Sequence, residues 1–164
     1  MDLKQERLSK TVAQSHAEQV HIIMPVDVNA SFNLFGGMLM QWIDVVAGVV
    51  ARRHSQREVL TAAVDHLEFL IPARLNDTVS LLGRVTFVGK TSMEVCVDTY
   101  IERLGRGGER MHANRAYLTM VALDDAGKPT MVPLLALETE EEKADFEAGR
   151  QRRAAREMLK GMQP

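Results

Sequence analysis

The chain has 164 residues, 46% of them hydrophobic and 26% charged, with a formal net charge of -2 and a pI near 6.2. That length suits one domain with a substantial core, and the near-balanced charge gives no reason to expect nucleic acid as a partner. The single cysteine, Cys96, excludes an internal disulfide and a multi-cysteine zinc site and fits a reducing compartment.

In chain order, residues 1–18 form a polar lead-in without the apolar core of a secretory signal. Val20 to Met24 reads as a short strand closed by Pro25, and Asp27 to Gly37 as a loop of turn formers. Residues 31–51 are the most apolar stretch, and a helix is predicted to run from the Gly36-Gly37 pair to about His54. With almost no polar face, that helix should be buried, and Asp44 is the one carboxylate inside it. The segment is interrupted by Gln41, Asp44 and three glycines, and no apolar run reaches the ~20 residues that span a bilayer. A soluble, cytoplasmic protein without a membrane partner is expected.

Val59 to Ile71 reads as a long strand ended by Pro72. Thr78 to Val88 alternates, with Val79, Leu81, Gly83, Val85 and Phe87 on one face and Ser80, Arg84 and Thr86 on the other. Thr91 to Ile101 alternates again, and Met111 to Leu123 makes a further strand; this period belongs to half-buried antiparallel strands. Asp124 to Pro129 is a turn. Glu138 to Lys160 reads as a helix with acids first and arginines last, an order that suits its dipole. Its few large apolar residues place it on the surface. The chain therefore divides into the lead-in 1–18, a main domain 19–135 and a charged helix 136–164. One buried helix with so few strands is best enclosed by a single curved antiparallel sheet, an α+β architecture.

Four motifs resemble those of the acyl-CoA thioesterases of the hotdog superfamily: Asn33-Leu34-Phe35-Gly36-Gly37 with Met40-Gln41-Trp42-Ile43-Asp44, then Phe69 to Pro72, Gly89 to Val95, and Asp124 to Pro129 with Pro133. They cover Val20 to Pro133 in order. The resemblance implies a hotdog fold and hydrolysis of acyl-CoA thioesters, with coenzyme A as part of substrate and product and no other cofactor or metal. It also implies a homodimer with a continuous ten-stranded sheet, assembled as a hexamer of three dimers.

Thioester hydrolysis needs a base to activate water, or a carboxylate nucleophile, and a donor for the oxyanion. Asp44 is the candidate base or nucleophile; the competing reading is a carboxylate that only stabilises its helix. The free N–H groups at Gly36 and Gly37 are candidate oxyanion donors, unless the glycines serve only the turn. Gly37 and Asp44 are seven residues apart, so one helix separates them by roughly 10 Å. Two antiparallel helices in a two-fold dimer bring them together. In that arrangement Asn33 orients the water or the carbonyl, although Asn before a helix is also a common cap. Phe35, Gly36 and Gln41 are read as substrate-lining. Lys90, Thr91 and Ser92 offer an ammonium, a hydroxyl and backbone N–H groups to the CoA diphosphate, or form a plain hairpin. Arg150, Arg152, Arg153 and Arg156 meet a nucleotide phosphate or pair with neighbouring acids. His66 and Asp65 point to opposite faces of a strand, so both read as structural or site-lining, and Cys96 has no evident base. The alternative to an enzyme is a non-catalytic acyl-CoA or nucleotide sensor on the same scaffold. A hotdog dehydratase fits less well, because its site pairs an acid with a histidine that this helix lacks.

Overall fold

The computed structural model describes residues 7–65 and 67–162; His66, read above as structural or site-lining, lies outside the described residues. The elements are β1 (Ser9–Thr11), β2 (Ala17–Ile22), α1 (Gly36–Ser55), β3 (Glu58–Asp65), β4 (Thr78–Val88), β5 (Ser92–Glu102), β6 (Arg110–Leu123), β7 (Leu134–Ala136) and α2 (Glu140–Gly161). A 3-10 turn at Pro25–Asp27 follows β2. Five strands form one antiparallel sheet in the order β2-β4-β5-β6-β3, and its concave face curls around α1, which touches all five. This is the hotdog fold. Among the described residues no helix is long and apolar enough to cross a membrane.

The core forms where a helical stripe meets alternating strands. Leu39, Ile43, Val46, Ala47 and Val50 recur at helical spacing and pack with Val79, Leu81, Val85, Val95, Val97 and Leu118. At Gly83 the helix approaches the sheet backbone closely: a Cβ there would lie 2.6 Å from Val46 Cγ1 and 2.9 Å from Val50 Cγ2.

The helix is not buried all round. Met40, Val45 and Val49 form an exposed apolar stripe, continued by Val64 on β3, an edge strand of the sheet. The all-apolar sequence of α1 therefore reflects two faces, one on the core and one uncovered in the single chain.

β3 ends at Asp65 rather than continuing to Ile71. Beyond it Leu67 and Ile71 still pack on the core, but the Asn114 side chain now donates to Glu68 O, and Leu70 N donates to Ala113 O. β2 occupies Ala17–Ile22, because Ile23 and Met24 turn away to bond Asp77 and Asp27. The polar lead-in contributes β1, which pairs in parallel with β7.

The outer face of the sheet is more buried than its alternation suggests, because α2 lies on it. A Thr139–Glu142 capping box starts α2. A register shift between Val85 and Phe87 sends Phe87 to this outer face, where its ring meets Phe146 at 4.9 Å. Arg152 bonds the buried Glu94 carboxylate at 2.8 and 3.0 Å, Arg84 bonds Asp145 at 3.0 Å, and Arg156 pairs with Asp65. Beside α2, Asp98 accepts from Arg84, His112 and Arg115. Burial raises the Asp98 pKa, but these hydrogen bonds outweigh it and the net shift is downward.

Candidate active site

The loop before α1 is tied by one side chain. Asn29 Oδ1 accepts from Ser31 N at 2.9 Å and Asn33 N at 3.2 Å, and Phe32 between them takes a left-handed φ of 57°. Phe35 then caps α1 without a side-chain hydrogen bond, and its carbonyl accepts from Met38 N and Leu39 N. The Gly36 and Gly37 N–H groups have no hydrogen-bond partner among the described residues. A Cβ on Gly37 would lie 2.7 Å from the Phe35 ring, so this ring position requires glycine.

Asn33 is half-buried and bridges Arg74 through its backbone. With Gly36, Phe69, Val79, Thr99 and Ile101 it lines an apolar pocket of about 210 Å³ beneath the helix N-terminus.

Asp44 sits two turns further along. It is exposed on the uncovered face of α1, not enclosed by its own chain as the helix sequence suggests. Its Oδ1 accepts a 2.6 Å hydrogen bond from Thr61 Oγ1 on β3, and no cation pairs with it among the described residues. It borders a second apolar pocket, about 150 Å³, with Met40, Ile43, Val64, Leu67 and Leu118. Asn33 and Gly36 on one side and Asp44 on the other thus open into separate pockets of one chain. Gln41 is exposed on α1 between them.

Lys90, Thr91 and Ser92 lie apart from both, in the β4–β5 hairpin. Gly89 N donates to Ser92 O at 2.8 Å, and Lys90 is exposed. Arg7 donates to Gly89 O, and an Arg153 nitrogen would lie 2.0 Å from a Cβ at position 89. Two of the four arginines of α2, Arg152 and Arg156, instead fasten the helix to the sheet, and Arg150 pairs with Glu147.

Other groups are chemically quiet. Burial pushes the Cys96 thiol up to about 12, which keeps it protonated and unreactive. A cavity of about 650 Å³ is an open cleft at the far end of α1 where Arg52 pairs with Glu58 and Arg57 faces Asp125. Among the described residues no cluster of three or more His, Cys, Asp or Glu is placed to hold a metal.

Sequence reasoning missed Thr61 and Asn29. Thr61 is a lone hydroxyl in an apolar strand whose link to Asp44 exists only after folding. Asn29 reads as one of several turn formers in its loop.

The thioesterase superfamily model matches residues 33–107. The uncharacterized acyl-CoA thioester hydrolase YkhA of Bacillus subtilis is 48% identical over 120 residues, covering 73% of this chain and 69% of its own. An apo-hexameric acyl-CoA thioesterase superposes with a TM-score of 0.89 at 36% identity, over 95% of this chain and 99% of that one. The acyl-CoA hydrolase of Staphylococcus aureus, solved with butyryl coenzyme A and coenzyme A, gives 0.85 at 34% identity over 93% and 94%. The chain belongs to the thioesterase superfamily, and within it to the acyl-CoA thioester hydrolases.

Proposed function

We propose that the protein hydrolyses acyl-CoA thioesters to coenzyme A and a free acid, at sites shared between two copies of the chain. The observation that carries this reading is the Thr61–Asp44 hydrogen bond: it fixes a carboxylate on an apolar face that its own chain leaves open. The free edge of β3 and the stripe of Met40, Val45, Val49 and Val64 supply the surface for two-fold pairing. Antiparallel packing of two α1 helices then brings Gly36 and Gly37 of one subunit to Asp44 of its partner. In this arrangement the sheets join edge to edge into ten strands. The hexameric assembly of a structural relative suggests three such dimers.

Asp44 acts as general base. It takes a proton from water as the oxygen attacks the thioester carbonyl. The carbonyl oxygen becomes an anion held by the Gly36 and Gly37 amides at the positive end of the helix dipole. The C–S bond then breaks, the carboxylic acid forms, and the CoA thiolate takes up the proton held by Asp44. No metal or redox group enters these steps. Lys90, Thr91 and Ser92 receive the CoA diphosphate, and Phe35 and Gln41 flank the chain that leads to it.

Structures of the Staphylococcus aureus enzyme include alanine mutants of one asparagine, one aspartate and one threonine. The asparagine stands 15 positions before that aspartate and the threonine 17 after it, the spacings of Asn29 and Thr61 about Asp44 here. The match favours Asn29 as the asparagine that orients water or carbonyl, with Asn33 lining the acyl pocket.

The test is thiol release from acyl-CoAs of increasing chain length by wild type and Asp44→Asn. A loss of about a hundredfold or more in a folded mutant supports the base role. Binding of CoA esters without cleavage by wild type would replace this reading with that of a sensor.

A further inference from the structure

We infer that the pocket beneath the α1 N-terminus selects acyl chains that carry a hydroxyl group, and that Thr99 recognises that hydroxyl. The inference rests on the thioesterase reading above and adds the substrate class.

The inner face of β5 runs Met93, Val95, Val97, Thr99, Ile101, with Thr99 its one polar member. Thr99 is 1% exposed, and its Oγ1 has no hydrogen-bond partner. Its cross-strand neighbour on β6 is Asn114, also 1% exposed. The Asn114 amide nitrogen bonds Glu68 O, while its Oδ1 has no partner. Buried hydroxyl and amide groups are nearly always paired, because each was hydrogen-bonded to water before folding. Two unpaired acceptor-bearing groups on facing residues of an apolar layer call for a ligand.

Thr99 lines the same pocket of about 210 Å³ as Gly36 and Asn33. A thioester carbonyl held at the Gly36 amide directs its acyl chain into that pocket. At roughly 30 Å³ per water-sized group, the space takes about seven non-hydrogen atoms, a short to medium chain with one oxygen. Thr99 is the lining residue with the unpaired group, and Asn114 stands beside it as its cross-strand neighbour. A hydroxyl can both accept from the Thr99 O–H and donate to Thr99 Oγ1, whereas a ketone can only accept. A carboxylate would bring a charge into a pocket lined by no cation.

The experiment measures kcat/KM of wild type and Thr99→Val on hexanoyl-CoA and its 3-, 5- and 6-hydroxy derivatives. Valine keeps the shape and removes the hydroxyl. In wild type, one hydroxylated isomer should exceed hexanoyl-CoA by about tenfold or more. In Thr99→Val the ratio of that isomer to hexanoyl-CoA should fall to about one or below, with Tm at or above that of wild type. The inference is overturned if every hydroxylated ester is slower than hexanoyl-CoA, or if Thr99→Val slows all esters equally. Should wild type cleave none of them, the thioesterase reading fails on its own. Calorimetric Kd values for the same esters then decide the pocket: a hydroxyl preference lost in Thr99→Val supports the inference, and equal affinities refute it.

Discussion

Thr61 Oγ1 donates to Asp44 Oδ1 at 2.6 Å across the gap between edge strand β3 and helix α1. The bond is short because the acceptor is charged, and it selects one orientation for a side chain that would otherwise rotate freely. Thr61→Val should lower kcat by about 10–100-fold, the worth of one hydrogen bond to a charged group. Thr61→Ser, which keeps the hydroxyl, should restore most of it. Equal activity in the valine and serine variants would remove Thr61 from the machinery.

A shared site makes two inactive proteins cooperate. Asp44→Asn and Asn29→Ala should each be nearly inactive alone. Refolded together, they form mixed dimers with one intact site and one doubly defective site. Random pairing then returns about one quarter of wild-type activity. No recovery, with mixed dimers verified by mass spectrometry, would place the whole site within one subunit.

The contact of α1 with β4 at Gly83 admits no side chain. Gly83→Ala drives a methyl into Val46 and Val50 and should destabilise the fold by about 1–3 kcal/mol. Urea unfolding should show a lower midpoint with an unchanged m-value. Stability equal to wild type would mean that α1 moves away from the sheet at no cost.

His54 is fully buried, and one ring nitrogen lies 3.1 Å from Pro133 O. The other, Nδ1, has no partner, so protonation would bury a second N–H with nothing to accept it. Burial lowers its pKa below 6.5, Lys10 and Arg7 add to this, and the bond to Pro133 opposes it. The unfolded chain therefore takes up the proton first as pH falls. This contribution is complete above pH 6.5 and is lost as pH falls from there through the folded-state pKa. His21, stacked 4.0 Å over Trp42, is shifted the same way by burial, against an opposing effect of Asp27. His54→Gln should flatten the fall in urea midpoint between about pH 7.5 and 5.5 without abolishing it. A slope identical to wild type would acquit His54.

How much of this was legible in the sequence depended on the range of the interaction. The bounds of β4 follow from its own alternation, and α1 follows from the Gly-Gly start and its apolar run. The exposure of Asp44 did not, because an apolar residue facing the core and one facing a partner look the same in sequence. Phe87 was assigned to the wrong face because a bulge shifts the period by one residue, and bulges leave no mark in apolar strands. The pairing of Arg152 with Glu94 was not legible, since nothing local brings residues 58 positions apart together. Asn33 was singled out because it opens the motif that ends in the glycine pair, and Asn29 was not. The loop that makes Asn29 its knot is visible only when folded.

The parallel ribbon of β1 and β7 sets Ser9 beside Leu134 and Thr11 beside Ala136. Closing a loop of that size loses more chain entropy than forming any hairpin of the main sheet. The β4–β5 and β5–β6 hairpins can therefore form early, while the ribbon waits for distant strands to meet. During synthesis β1 stays without its partner strand until residue 136 has left the ribosome. Docking of β1 is thus a closing event of folding, and its release is among the first steps of opening.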